Sequence, residues 1–89
     1  MYMKATEQDF KRMIRDKRIT TKAKAIFAYA YTLPDGYDLT VGELKEVFKE
    51  GQVSIGAALK SLEDSGYLKR FYSSKTGKFK WNWYFSVPE

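Results

Sequence analysis

The chain has 89 residues, is 44% hydrophobic and 17% aromatic, and carries a net charge of +5 with no cysteine and no histidine. That is room for one modest core and not two. A disulfide framework is excluded, and the usual general base, thiol nucleophile and zinc ligands are missing, so neither an enzyme, a metal site nor a bound cofactor is expected.

The charge is unevenly placed. Residues 1–24 carry +5, residues 25–66 carry −4 and residues 67–89 carry +4. Two basic ends flank an acidic middle, a pattern suited to a polyanion such as nucleic acid or to an acidic protein face. No apolar run approaches the roughly 18 residues of a membrane span, and the N-terminus lacks the apolar stretch of a secretory signal, so a cytoplasmic protein with no membrane partner is expected.

In chain order, the first element is a short helix from Glu7 to Asp16, capped by Thr6, with Phe10, Met13 and Ile14 spaced i, i+3, i+4 as its apolar face. The second follows Thr20, another capping residue. Ala23, Ile26, Phe27 and Ala30 form one stripe, and Pro34-Asp35-Gly36 ends the helix and turns the chain. Tyr29, Tyr31 and Tyr37 suit either the core edge or a contact between two copies in a dimer.

The third helix opens on a capping box, with Thr40 as cap and Glu43 reaching back to its backbone amide. Val41, Leu44, Val47 and Phe48 make its apolar face, and it stops before Gly51 after about eight residues. The fourth begins at once, buries Ile55, Ala58, Leu59 and Leu62, and closes at Gly66, which suits the left-handed conformation. Two helices joined by about three or four residues that include a glycine are the sequence picture of a helix-turn-helix.

After Gly66 the period changes from helical to alternating. "YLKRFYS" and "KFKWNWYFSV" read as two strands joined through "SKTG", with Gly77 able to take the positive φ of a tight turn. In the second strand Phe79, Trp81, Trp83, Phe85 and Val87 share one face, and Lys78, Lys80, Asn82, Tyr84 and Ser86 share the other. The aromatic face is expected to cover the helices, with Trp81 and Trp83 plugging the core and the lysines outward. Tyr72 and Tyr84 are the better candidates for exposure, and Tyr67 is expected near the helix end.

The expected class is therefore α+β: a three-helix bundle, a C-terminal two-stranded hairpin and an extra N-terminal helix. One domain spans residues 1–89, with its core in 18–87 and a basic helical extension in 1–17. The stretch "RITTKAKAIFAYAYTLPDGYDLTVGELKEVFKEGQVSIGAALKSLEDSGYLKRF" followed by "TGKF…WYFSV" resembles a branch of the winged helix-turn-helix family. Members of that branch are DNA-binding regions of replication initiators and replisome organisers, and small regulators of phages, plasmids and integrative elements in Gram-positive bacteria.

The resemblance implies binding to double-stranded DNA, in replication initiation or transcription regulation, with the second helix of the motif in the major groove and the hairpin as a wing on the backbone. Carried over, the groove-facing residues are Gln52, Val53, Ser54, Gly56, Ala57, Lys60 and Ser61. Gln52 would pair with adenine, Lys60 would reach guanine or a phosphate, and Ser54 with the first-turn amides would hold a phosphate. Lys69, Arg70, Ser73, Ser74, Lys75, Lys78 and Lys80 would serve from the wing. Lys22 and Lys24 would join from the N-terminal side, with Arg15, Lys17 and Arg18 behind them.

The presumed recognition helix has no arginine, the residue whose fork best matches guanine, and sets Lys60 against Glu63 and Asp64. A protein partner is therefore the alternative, since winged helices also serve as interaction modules that block or recruit host machinery. The carboxylate pairs Glu43/Glu46, Glu46/Glu50 and Glu63/Asp64 read as solvated faces or caps, Asp35 and Asp38 as turn residues, and no glycine-rich phosphate loop is present.

Overall fold

The structure, a computed structural model, describes residues 1–75 and 78–88, and of residues 73–75 and 78–81 the backbone only. Its elements in chain order are β1 (Tyr2–Lys4), α1 (Glu7–Arg15), α2 (Thr21–Tyr31), α3 (Val41–Phe48), α4 (Gln52–Asp64), β2 (Leu68–Lys75) and β3 (Lys78–Ser86). The protein is thus α+β, with four helices and a three-stranded sheet.

Local chemistry sets the helix starts. Thr6 Oγ1 accepts the Asp9 amide at 3.1 Å while Asp9 Oδ2 accepts the Thr6 amide at 3.0 Å, which satisfies two otherwise orphaned donors of α1. Thr20 accepts from Ala23 N at 3.2 Å, and Thr40 from Glu43 N at 3.1 Å. The expected return contact from Glu43 does not form. Its carboxylate instead accepts Tyr29 Oη–H at 2.6 Å and Tyr37 Oη–H at 2.7 Å, two phenols that outcompete a single local amide. This places Tyr29 and Tyr37 at the core edge, where both pack against the buried cluster.

Between α3 and α4 lie three residues, 49–51. Lys49 closes α3 in the left-handed region at φ 52°, and Gly51 caps α4 with no side-chain bond. Gly66 takes φ +83° after α4 and turns the chain into β2, as its sequence position suggests.

The strand order is β1-β3-β2. β2 and β3 are antiparallel, in a register running from Leu68 opposite Phe85 to Lys75 opposite Lys78. β1 was not expected. It pairs parallel to β3 through Tyr2–Tyr84, Met3–Phe85 and Lys4–Ser86. Three residues are too few to show a period, and what holds β1 is distant: the Met1 ammonium donates to Tyr37 O at 2.8 Å, and Gly36 N donates to Met1 O at 3.0 Å.

The core lies between the helices and the inner face of the sheet. Phe27 meets Tyr67 and Phe85 edge-on, at centroid distances of 5.9 and 5.7 Å, and Trp83 lies 6.3 Å from Phe85. The stripes of α2 and α4 are buried as their spacing predicts, and so is Trp83, while the Trp81 side chain falls outside the described residues.

Two expected core positions are corrected. Ile14 is 43% exposed and Val47 45%. α1 docks through Met13 and through Phe10, whose ring sits 4.9 Å from Tyr31, and Ile14 lies about 100° round the helix from Met13. On α3, Val41 and Phe48 flank Leu44 on the side that meets α2, with Phe48 5.8 Å from Tyr29, and Val47 falls on the other side.

Candidate nucleic-acid interface

α4 buries Ile55, Ala58, Leu59 and Leu62 and turns Gln52, Val53, Gly56, Ala57 and Lys60 to solvent, with Ser54 and Ser61 partly covered at the margins. All seven residues expected on the groove-facing side therefore lie off the core face. Val53 is 88% exposed. A Cβ built on Gly56 would meet nothing within 4 Å, so the protein's own packing does not require a glycine there. A mid-helix glycine costs about 1 kcal/mol relative to alanine, which leaves this bare spot without an intramolecular reason.

The cations differ in their state. Lys22 Nζ lies 3.2 Å from Glu50 Oε1 and donates to Ser54 Oγ, which joins α2 to the link and the first turn of α4. The Ser54 hydroxyl expected to hold a phosphate is thus already engaged. Arg70 is held between Glu63 and the Trp83 ring, with its guanidinium carbon 5.3 Å from the ring centroid. The side chains of Lys24, Lys60 and Lys69 make no hydrogen bond or ion pair among the described residues.

For the rest of the expected wing set, the backbone register pairs Ser73 with Lys80, Ser74 with Phe79 and Lys75 with Lys78. The side chains of Ser73, Ser74, Lys75, Lys78 and Lys80 lie outside the described residues, and so does Gly77.

Two features centre on residues outside those that sequence reasoning singles out for the site. The first is a cluster at the end of α1. Asp16 leaves the helix and accepts the Arg18 amide at 2.8 Å, Arg18 Nη2 at 2.7 Å and the hydroxyl of Tyr67, 51 residues away. Arg18 first, then Tyr67, holds the Asp16 carboxyl well below its ordinary range. Asp16, Arg18 and Tyr67 line an open cleft of about 370 Å³ with Arg12, Arg15, Val87 and Pro88. Elsewhere the Glu43 carboxylate pushes the Tyr29 hydroxyl up to about 12 and raises Tyr37 as well, since both phenols are more useful to it protonated.

The second is the outer face of the sheet. Phe71 is 55% exposed and Tyr2 63%. Strand parity could have found Phe71: it lies three residues from buried Leu68, hence on the opposite face.

Among the described residues there is no group of three or more His, Cys, Asp or Glu that could hold a metal ion, and no helix is long and apolar enough to cross a membrane. Comparison of the chain with protein-family models, with curated proteins and with solved structures finds no match.

Proposed function

We propose that the chain is a winged helix-turn-helix domain that binds double-stranded DNA, with α4 in the major groove and the β2–β3 hairpin as the wing, in replication initiation or transcription regulation of a mobile element. The observation that carries this reading is the solvent face of α4. Gln52, Gly56, Ala57 and Lys60 form a small-residue surface with polar ends that the fold itself does not use. Small residues allow the helix axis to approach base edges closely, with Gln52 suited to adenine and Lys60 to guanine or phosphate. Support also comes from charge. The three strands contain six Lys/Arg and no Asp or Glu.

Affinity in this account comes mainly from Lys24, Lys60, Lys69 and the wing lysines at 75, 78 and 80, with Lys22 and Arg70 positioning α4 and the hairpin from within. Ala57→Glu tests it. Ala57 is exposed and points away from Ile55 and Leu59, so the variant should fold and lose duplex binding in an anisotropy titration. Unchanged affinity would remove α4 as the reader.

A second reading has one observation in its favour. Val53, the most exposed large apolar residue among the described ones, stands on the same face, and an exposed valine beside small residues suits a protein surface as well as a thymine methyl. Under that reading the domain is an interaction module, and Val53→Asp would abolish a protein complex while duplex binding is absent from the start.

A further inference from the structure

The outer face of the sheet carries aromatic rings that duplex docking through α4 does not use, beside a lysine, Lys69, that it does. β1, β3 and β2 lie side by side, so Tyr2, Tyr84 and Lys69 occupy one row across the three strands. Asn82 and Phe71 form the next row toward the hairpin tip, and Lys4 and Ser86 the row behind. Tyr2 and Phe71 stand largely in solvent, Tyr84 is half-buried, and Lys4 and Lys69 are exposed. Beyond Phe71 the same register parity carries Ser73 with Lys80 and Lys75 with Lys78. No carboxylate occurs in any of the three strands.

We infer that this face binds single-stranded nucleic acid, with bases stacked on Phe71, Tyr84 and Tyr2 and the phosphates tracked by Lys4 and Lys69. Aromatic rings exposed along a cationic sheet are the chemistry that single strands require, because every base has a face to stack and every linkage a negative charge. Five rows at two residues each make a track about 27 Å long, enough for a site at the short end of the roughly 4–16 nucleotides that one small domain covers. A duplex cannot use the rings, since its bases already stack on one another.

The occupant follows from charge: strands without a carboxylate, with Lys4 and Lys69 exposed on the face, complement a polyanion. An acidic protein segment would use the lysines and be indifferent to the loss of a ring's π face.

The test is an anisotropy titration of the whole chain at low salt with an oligothymidylate of about ten nucleotides, an oligouridylate of the same length and an unrelated duplex. Wild type should bind the single strands, and the ratio of the two says whether deoxyribose or ribose is preferred. Phe71→Ala should weaken single-strand binding by about 5- to 100-fold, as loss of one stacked base does elsewhere, and leave duplex binding unchanged. Phe71→Leu keeps the apolar area but not the π face and should lose nearly as much. Failure of wild type to bind either oligonucleotide, wild-type affinity in both Phe71 variants, or an equal loss for duplex and single strand would each overturn the inference. Ala57→Glu separates it from the α4 reading, because that variant should lose the duplex and keep the single strand.

Discussion

The guanidinium of Arg70 clasps one oxygen of the Glu63 carboxylate, with Nη2 at 2.6 Å and Nε at 2.9 Å from Oε1. Glu63 belongs to the last turn of α4 and Arg70 to the first residues of β2, so the pair fixes the root of the hairpin on the helix it follows. The other side of the guanidinium covers Trp83, which itself lies in the core. Both partners of the pair remain partly exposed, so its worth is that of a well-formed surface contact strengthened by the ring beneath.

Arg70→Ala should therefore cost about 1–2 kcal/mol, combining a charge-assisted pair with a cation–π contact, and lower Tm by about 4–8 °C per kcal/mol. Arg70→Lys should recover only part of this, because an ammonium lacks the planar fork that meets carboxylate and ring at once. A melting curve of each variant decides it; an unchanged Tm for Arg70→Ala would mean the pair is fully solvated.

Core depth gives a second contrast. Phe27 is fully buried against Tyr67 and Phe85, and Phe27→Ala should cost about 3–5 kcal/mol, a large part of the roughly 5–13 kcal/mol expected for a domain this size. Val47→Ala on exposed α3 surface should stay within about 0.5 kcal/mol. Urea denaturation of the two measures this, and a Val47 effect as large as that of Phe27 would contradict the observed packing.

These contrasts mark what the sequence could disclose. The α2 and α4 stripes were legible because four apolar residues at helical spacing leave one orientation open. Ile14 and Val47 were misread because a short helix with three or four apolar residues can rotate, and distant partners choose the angle. Glu43 was expected to serve its own helix, and no local pattern reveals that two tyrosines from other segments claim it. The same holds for β1, fixed by Tyr37 and Gly36, and for Asp16, fixed by Tyr67. Of the candidate site, the outward face of α4 was legible as the complement of its buried stripe. The engagement of Lys22 with Glu50 and Ser54 was not, because it depends on how α2 sits on the α3–α4 link.

Acid stability follows from Asp16. Its folded carboxyl is depressed below the unfolded value by Arg18 and Tyr67, so it contributes stability above the unfolded pKa of 3.8, and that contribution falls away as pH drops through and below that value. Asp16→Asn should flatten the acid limb of a plot of Tm against pH below about pH 5 while lowering Tm at neutral pH. An acid limb as steep in the variant as in wild type would place the acid sensitivity elsewhere, Asp9, held low by the Thr6 amide and then by Arg12, being the next carboxylate.

If a carboxylate-free ribbon and the bare face of α4 meet duplex DNA together, as proposed, binding must weaken steeply with salt. If Lys24, Lys60, Lys69 and the wing lysines neutralise about five phosphates, log K against log salt should fall with a slope of about −4 to −5, at roughly 0.9 per contact. Replacing Lys75 and Lys78 by alanine should flatten that slope by up to about two. No duplex binding at low salt, or a slope that the double variant leaves unchanged, would contradict the account.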